Sequence, residues 1–454
     1  MSARLSAESL RLSLLGTHEQ ASAQAGLWLT AVRGIALRLG GSFLQFALFV
    51  LLARLMSAEE FGKLGSTYAL AMTLAVVGGL GQGPLAARCW HLWLRERGGI
   101  PAVVRGLRVG YAATAVGSAM LVPIVVLIEH AGVPVFPSPV FIVPTMILVA
   151  AYAFAELQSF AMRADDRLLS GLAPKDIGWR SVVMAIAAVT TPALGPPSAV
   201  TVLWVMVCCL GAIVLLQATF WFRDLGRRAT SETRSAPGPF DWHLWRALSL
   251  SVWLSSIGTA FVQHADVALV GSVLGPAEAA IYLAGARTSQ ILQLLPTALT
   301  AVLIPQAARA ALEKGRDGLA EVIAVNNRIV FLPALALTLL VLAVPELALR
   351  LFGASFAEAA NALRILAVGH LIAILCGPIV SICVGAGYHH AYTLAVGTGA
   401  AVLVAGILLL APRLGLEGAA LATAAATAAP PLALRLWLLR KFGINTGTLS
   451  IAHA

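Results

Sequence analysis

Residues 249–287 read SLSVWLSSIGTAFVQHADVALVGSVLGPAEAAIYLAGAR. One bilayer pass takes about 20 apolar residues, so this stretch is long enough for two, and Leu274-Gly275-Pro276-Ala277 supplies a turn between them. It predicts a transmembrane helical hairpin. The first arm nevertheless carries Ser256, Thr259, Gln263 and Asp266, spaced by three or four residues and therefore on one face of a helix. The second arm ends on Arg287. At a rise of about 1.5 Å per residue, Asp266 lies roughly 12 Å and Arg287 roughly 15 Å from the turn, which puts both charges in one layer. A charge at that depth costs a few kcal/mol, so each side chain needs a partner or a water-filled cavity. Two arrangements satisfy this: an ion pair that only fixes the two helices, or a cavity lined by both groups.

The rest of the chain has the same character. Of 454 residues, 59% are hydrophobic and 11% charged, and the mean hydropathy is +0.87; soluble domains carry about 25% charged residues. The expected fold class is an all-α integral membrane protein with about twelve transmembrane helices. Spans are expected near 33–55, 61–82, 106–128, 138–161, 177–194 and 199–222, then near 247–273, 278–304, 325–344, 361–384, 390–411 and 416–438. Nothing between them is long enough for a soluble domain. Residues 1–25 contain Arg4, Glu8, Arg11, His18 and Glu19 without a continuous apolar core, so 1–30 is expected to be a short cytoplasmic lead-in with no signal peptide.

The formal charge of +10 raises the question of a nucleic-acid partner. Its distribution answers it. Arg88, Arg95, Arg97 and Arg105 fall between spans two and three; Arg163, Arg167 and Lys175, with a flanking Arg180, between four and five; Arg223, Arg227, Arg228, Arg234 and Arg246 after span six; and Arg309, Lys314, Arg316 and Arg328 after span eight. Alternate loops are basic, which is the positive-inside pattern. No nucleic-acid partner is implied, and both termini are expected in the cytoplasm. The polar stretch from Arg223 to Asp241 divides the chain into a bundle of six spans at 31–222, a cytoplasmic linker at 223–246, a second bundle at 247–440 and a cytoplasmic tail at 441–454. Each bundle starts inside, so the halves should be parallel repeats about an axis along the membrane normal. Ser57-Ala58-Glu59-Glu60-Phe61-Gly62 after span one matches Gly275-Pro276-Ala277-Glu278-Ala279-Ala280 after span seven. In that register Gln45 stands opposite Gln263 and Arg38 opposite Ser256, and Arg38, Ser42 and Gln45 form a polar stripe in span one. Arg38 either lines a cavity or snorkels to the headgroups.

Several other features carry less. Gly79-x-Gly81-x-Gly83 ends a span and no lysine follows it, so it reads as a helix break or a close packing site and not as a phosphate loop. Cys89, Cys208, Cys209, Cys376 and Cys383 form no ligand or disulfide framework. His389-His390 lacks partner ligands, so no metal site is expected, and His264 is expected nearly opposite Asp266 on its helix. Outer loops are short and almost uncharged; the longest, 345–360, offers Glu346, Arg350 and Glu358 with no catalytic constellation, which argues against an enzyme. There is no filter-like loop for a channel. Pro123, Pro144, Pro296, Pro333 and Pro378 predict bent helices.

Leu52-Ala53-Arg54-Leu55-Met56-Ser57-Ala58-Glu59-Glu60-Phe61-Gly62, Asp266 followed by Gly271, Gly275-Pro276 and Ile281-Tyr282, Gly385-Ala386-Gly387, and Gly415-Leu416-Glu417-Gly418-Ala419-Ala420-Leu421-Ala422 together resemble the Wzx-type flippases of the multidrug/oligosaccharidyl-lipid/polysaccharide (MOP) exporter superfamily. The likeness covers most of residues 30–440; Ser57-Ala58 stands where that family usually has Gly-Pro. The resemblance implies a V-shaped pair of six-helix bundles in the bacterial inner membrane, carrying a polyprenyl-pyrophosphate-linked oligosaccharide from the cytoplasmic to the outer leaflet by alternating access. Partners so implied are the glycolipid, membrane lipids, and a polysaccharide polymerase with its export machinery. Arg287 and Arg38 would contact phosphate, Gln45 and Gln263 sugar hydroxyls, and Asp266 would neutralise Arg287 or carry a coupling proton. No cofactor is implied beyond coupling to H+ or Na+. A cation or drug antiporter of the same superfamily and a non-transporting scaffold are the competing classes.

Overall fold

The computed structural model describes residues 32–96, 98–132, 135–231, 241–443 and 446. The lead-in, the centre of the linker and most of the tail lie outside them. Among the described residues there is no strand. Ten helical stretches among these residues are long and apolar enough to cross a membrane. In chain order the first seven are α1 (Val32–Leu55), α2 (Ala58–Arg95), α3 (Ile100–His130), α4 (Pro139–Ala164), α5 (Leu168–Leu194), α6 (Ala199–Thr230) and α7 (Trp245–Leu274). Next, α8 runs Pro276–Ser289, passes through a 3-10 turn at Gln290–Gln293 and continues as Leu294–Glu313. Then come α9 (Gly315–Ala343) and α10 (Ala354–Leu375), the latter extended by Ile379–Gly385. The last stretch, His389–Phe442, is 54 residues long and folds at Gly415 (φ 60°, ψ −138°), giving α11 (389–414) and α12 (416–442). With α8 and this division, the ten stretches become the twelve expected spans.

Both the lipid-facing and the inward-facing sides of these helices are apolar, so small residues must select the contacts. In the α11–α12 hairpin, a methyl on Gly406 would stand 2.7 Å from the Ala422 Cβ, and one on Gly418 would stand 2.3 Å from the Leu410 carbonyl oxygen. The two halves meet by the same means. Gly62, Ser66 and Ala69 form a small-residue face on α2, and a Cβ at Gly62 would come 1.7 Å from the Pro276 carbonyl oxygen at the start of α8.

The glycine run does break α2. Its first helix ends at Gly78, Leu80 and Gly81 take positive φ (47° and 68°), and helix resumes at Gln82. A break inside a membrane frees carbonyls that must find donors. The second half supplies them: Trp253 Nε1 donates to Val77 O (2.8 Å) and Ser249 Oγ to Leu80 O (2.7 Å). Gln82 Nε2 completes the set by donating to Ser249 Oγ at 2.9 Å. Thus α7 is fastened across the weak point of α2.

Two expectations need revision. First, α5 begins at Leu168 and not near 177, so Lys175 is inside a span and not in a loop; Glu156 of α4 pairs with Lys175 at 2.7 Å, which makes its burial tolerable. Second, helix continues past the expected linker boundary to Ser231 and resumes at Trp242. Asp165 and Asp224 hold that extension by pairing with Arg228, at 3.0 and 2.6 Å, while Arg167 bridges to both aspartates. The segment 345–360 is packed: it contains the helical turns Pro345–Leu349 and Ala354–Ala359, and Phe352 and Phe356 are buried. At the first hairpin turn, Ser57 caps α2 by accepting from the Glu60 N–H (3.3 Å), a role its side chain fills where the second half has Gly275-Pro276.

Candidate functional site

A cavity of about 870 Å³ lies between α1 of the first half and α7 to α12 of the second. All five residues singled out from the sequence line it: Arg38, Gln45, Gln263, Asp266 and Arg287. Gln263 is exposed into this space, whereas Asp266 and Arg287 are 4% and 5% exposed.

Asp266 and Arg287 do not form an ion pair. The Asp266 carboxylate accepts from Tyr282 Oη at 3.3 Å, and that hydroxyl is also 2.7 Å from Thr423 Oγ1. Arg287 Nη1 donates to Gln290 Oε1 at 2.9 Å, and its guanidinium lies over the Phe49 ring with Cζ 4.9 Å from the centroid. Its Nε is buried without a partner. A planar cation held by one amide and one ring keeps unused donors, a costly arrangement for an isolated buried charge and a useful one for receiving an anion. Of the two arrangements open from the sequence, the geometry is the one in which both groups line a cavity.

Local backbone irregularities aim these side chains. Phe261–Ala265 is a π turn, which widens the helix by one residue per turn. The added residue changes the phase of α7, so His264, expected on the opposite side, also lines the cavity. Ser256 is not on the wall; its hydroxyl donates to Val252 O of its own helix at 2.8 Å. In α8, Pro296 has no N–H to give to residue 292, and the chain takes a 3-10 turn just before it.

The cavity is closed towards the hairpin turns by aromatic rings from both halves. Phe46 packs edge-on against Phe352 (centroids 5.4 Å apart), Phe61 against Phe356 (5.8 Å) and Phe49 against Phe61 (6.3 Å). Arg54 ties the end of α1 to this plug by donating to Leu351 O at 2.6 Å. From the sequence 345–360 is the longest outer loop; its two phenylalanines, four residues apart beside Gly353, are the available sign of this packing.

A second group of charges, also missed, lies behind α1. Lys175 pairs with Glu156 (2.7 Å) and Asp176 (3.2 Å). Arg180 donates to the Asp176 carbonyl and, at 3.4 Å, to Gln45 Oε1. Another π turn, Pro174–Gly178, carries Lys175 and Asp176, and a Cβ on Gly41 would be 2.8 Å from Asp176 Cβ, so α1 fits closely onto it. Gln45 therefore joins this cluster to the cavity. The repeat register paired Gln45 with Gln263 and offered no sign of Arg180.

No protein-family model and no curated protein sequence matches the chain. Its fold does have solved counterparts. A MATE-family multidrug resistance transporter of the MOP superfamily, in an inward-facing conformation, superposes with a TM-score of 0.68 at 13% identity, over 92% of this chain and 100% of that one. The lipid II flippase MurJ in an inward closed conformation gives 0.64 at 11% identity, over 93% and 90%. A MOP-superfamily transporter from Pyrococcus furiosus, described as having a binding pocket of reversed polarity that suggests a different function, gives 0.62 at 14%, over 91% and 96%. The chain has the MOP-transporter fold.

Proposed function

We propose that this protein is a Wzx-type flippase, carrying a polyprenyl-pyrophosphate-linked oligosaccharide from the cytoplasmic to the outer leaflet of the bacterial inner membrane. The observation that carries the reading is the charge of the cavity. Its wall holds Arg38 and Arg287 against the single carboxylate of Asp266, with neutral amides and hydroxyls set among a lining that is otherwise mostly apolar. Arg287 keeps a buried Nε without a partner. A pyrophosphate cannot enter hydrocarbon without compensation for lost hydration, and guanidinium forks match phosphate oxygens. Asp266, not paired with Arg287, would balance that charge between substrates. A lipid tail can stay in the bilayer while the head group occupies the cavity. The likeness in fold to a lipid II flippase is compatible with this cargo.

The likeness to a MATE transporter and the buried Asp266 favour a second reading, a cation antiporter. Sealed vesicles containing the purified protein separate the two. Translocation of a fluorescent polyprenyl-pyrophosphoryl oligosaccharide, reduced at least tenfold by Arg287→Ala, is the expected result. Uptake of an organic cation that survives Arg287→Ala and is lost in Asp266→Asn, with no glycolipid movement in the wild type, would overturn the flippase reading.

A further inference from the structure

The part of the cavity beyond Arg287 is built differently from the charged part. Arg287, Gln290 and Gln293 are three residues apart, and the second step crosses the 3-10 turn Gln290–Gln293. In a 3-10 turn residues i and i+3 eclipse each other. The turn therefore lines up the guanidinium and two primary amides along one wall, over roughly 10 Å at 1.5 to 2 Å per residue. Facing them, His370 of α10 is held by two contacts. Its Nδ1 is 3.0 Å from Gln293 Nε2, and its Nε2 is 3.3 Å from Ser289 Oγ. An amide NH2 only donates, so Nδ1 is the acceptor and Nε2 carries the proton. Asn326 of α9 lines the same cavity, is 94% buried, and makes no side-chain hydrogen bond to the described residues.

We propose that Gln290, Gln293, His370 and Asn326 form a subsite for a neutral glycan, binding the hydroxyl and acetamido groups of the sugars next to the pyrophosphate. The inference rests on the flippase reading and adds which residues select the cargo. None of the four is a permanent ion. Each amide offers a donor and an acceptor in one plane, which suits adjacent sugar hydroxyls that both give and receive hydrogen bonds. An unpartnered, buried Asn326 gains a partner when a glycan arrives and leaves a sugar lacking the matching group unsatisfied, the basis of strong discrimination. Arg287, through its bond to Gln290, sets the register between phosphate and first sugar.

Binding to the purified full-length protein in nanodiscs tests this with three probes: farnesyl pyrophosphate, and the same pyrophosphate carrying N-acetylglucosamine or galactose. Wild type should bind at least one sugar-bearing probe about tenfold more tightly than the bare pyrophosphate. Gln293→Leu and Asn326→Ala should each lower that preference by about fivefold or more, leaving the affinity for farnesyl pyrophosphate unchanged. Arg287→Ala should weaken all three probes together. Asn326→Ala removes no internal hydrogen bond, so it keeps the test open if Gln293→Leu disturbs His370. A wild type that binds all three probes equally, or a sugar preference that survives both variants, overturns the subsite and leaves the flippase reading standing. A wild type that binds none of them overturns that reading, and the subsite with it.

Discussion

Gly62→Ala is the most direct perturbation of the contact between the halves. The new methyl would stand 1.7 Å from the Pro276 carbonyl oxygen, where ordinary contact begins near 3.4 Å, so α2 and α8 must separate by about 1.7 Å at that level. The atom met is backbone, and no side-chain rotation relieves it. Overpacking of this kind costs about 1–3 kcal/mol. The contact joins the halves at the end beyond the aromatic plug. On the proposed reading of an alternating-access carrier, the penalty falls on the conformer closed at that end, and the equilibrium moves towards its opposite by roughly 5- to 150-fold. Electron-electron distance measurements between spin labels at Glu59 and Ala277, with the five native cysteines replaced, read this directly. A longer-distance population should appear or grow in Gly62→Ala. Gly211→Ala, where no neighbouring atom lies within 4 Å, should leave the distribution as in wild type. An unchanged distribution and melting temperature in Gly62→Ala would refute the claim that this contact holds the halves together.

Other consequences can be checked by thermal unfolding in detergent. Phe352→Ala empties a site packed against Phe46 and Phe356 and should destabilise by about 3–5 kcal/mol, with faster thiol labelling of a cysteine placed at Ser42 from the plugged side; normal stability and labelling would argue against a plug. Ser249→Ala removes one of two partners from Leu80 O and from the Gln82 amide, which stay bonded to each other at 3.0 Å, and should cost about 0.5–1.5 kcal/mol, whereas the exposed neighbour Leu250→Ala should cost less. Gly418→Leu forces a side chain against the Leu410 carbonyl and should lower the melting temperature or abolish expression; wild-type stability would mean that α11 and α12 pack otherwise.

Much of the fold was legible because bilayers impose a length on helices. Spans, hairpin turns and the break at Gly78–Gly81 follow from local composition. So does the layer shared by Asp266 and Arg287, since helical rise converts residue counts into depth. Less of the site could be read. A π turn is invisible in a residue list, yet the one at Phe261–Ala265 brings His264 onto the cavity wall. Lys175 looked like a loop lysine because its compensation, Glu156, lies 19 residues earlier on another helix.

The sequence by itself determined a twelve-span, two-part membrane protein with buried charge in the 249–287 hairpin, because hydrophobic length, turn residues and charge placement are local properties. Tertiary structure decided what that charge does. Whether Asp266 and Arg287 neutralise each other depends on where Tyr282, Gln290 and Phe49 stand, and those positions are set by helix phase and by contacts between halves. The same holds for the amide row beyond Arg287. Gln290, Gln293, His370 and Asn326 come from three helices, and only packing brings them to one cavity.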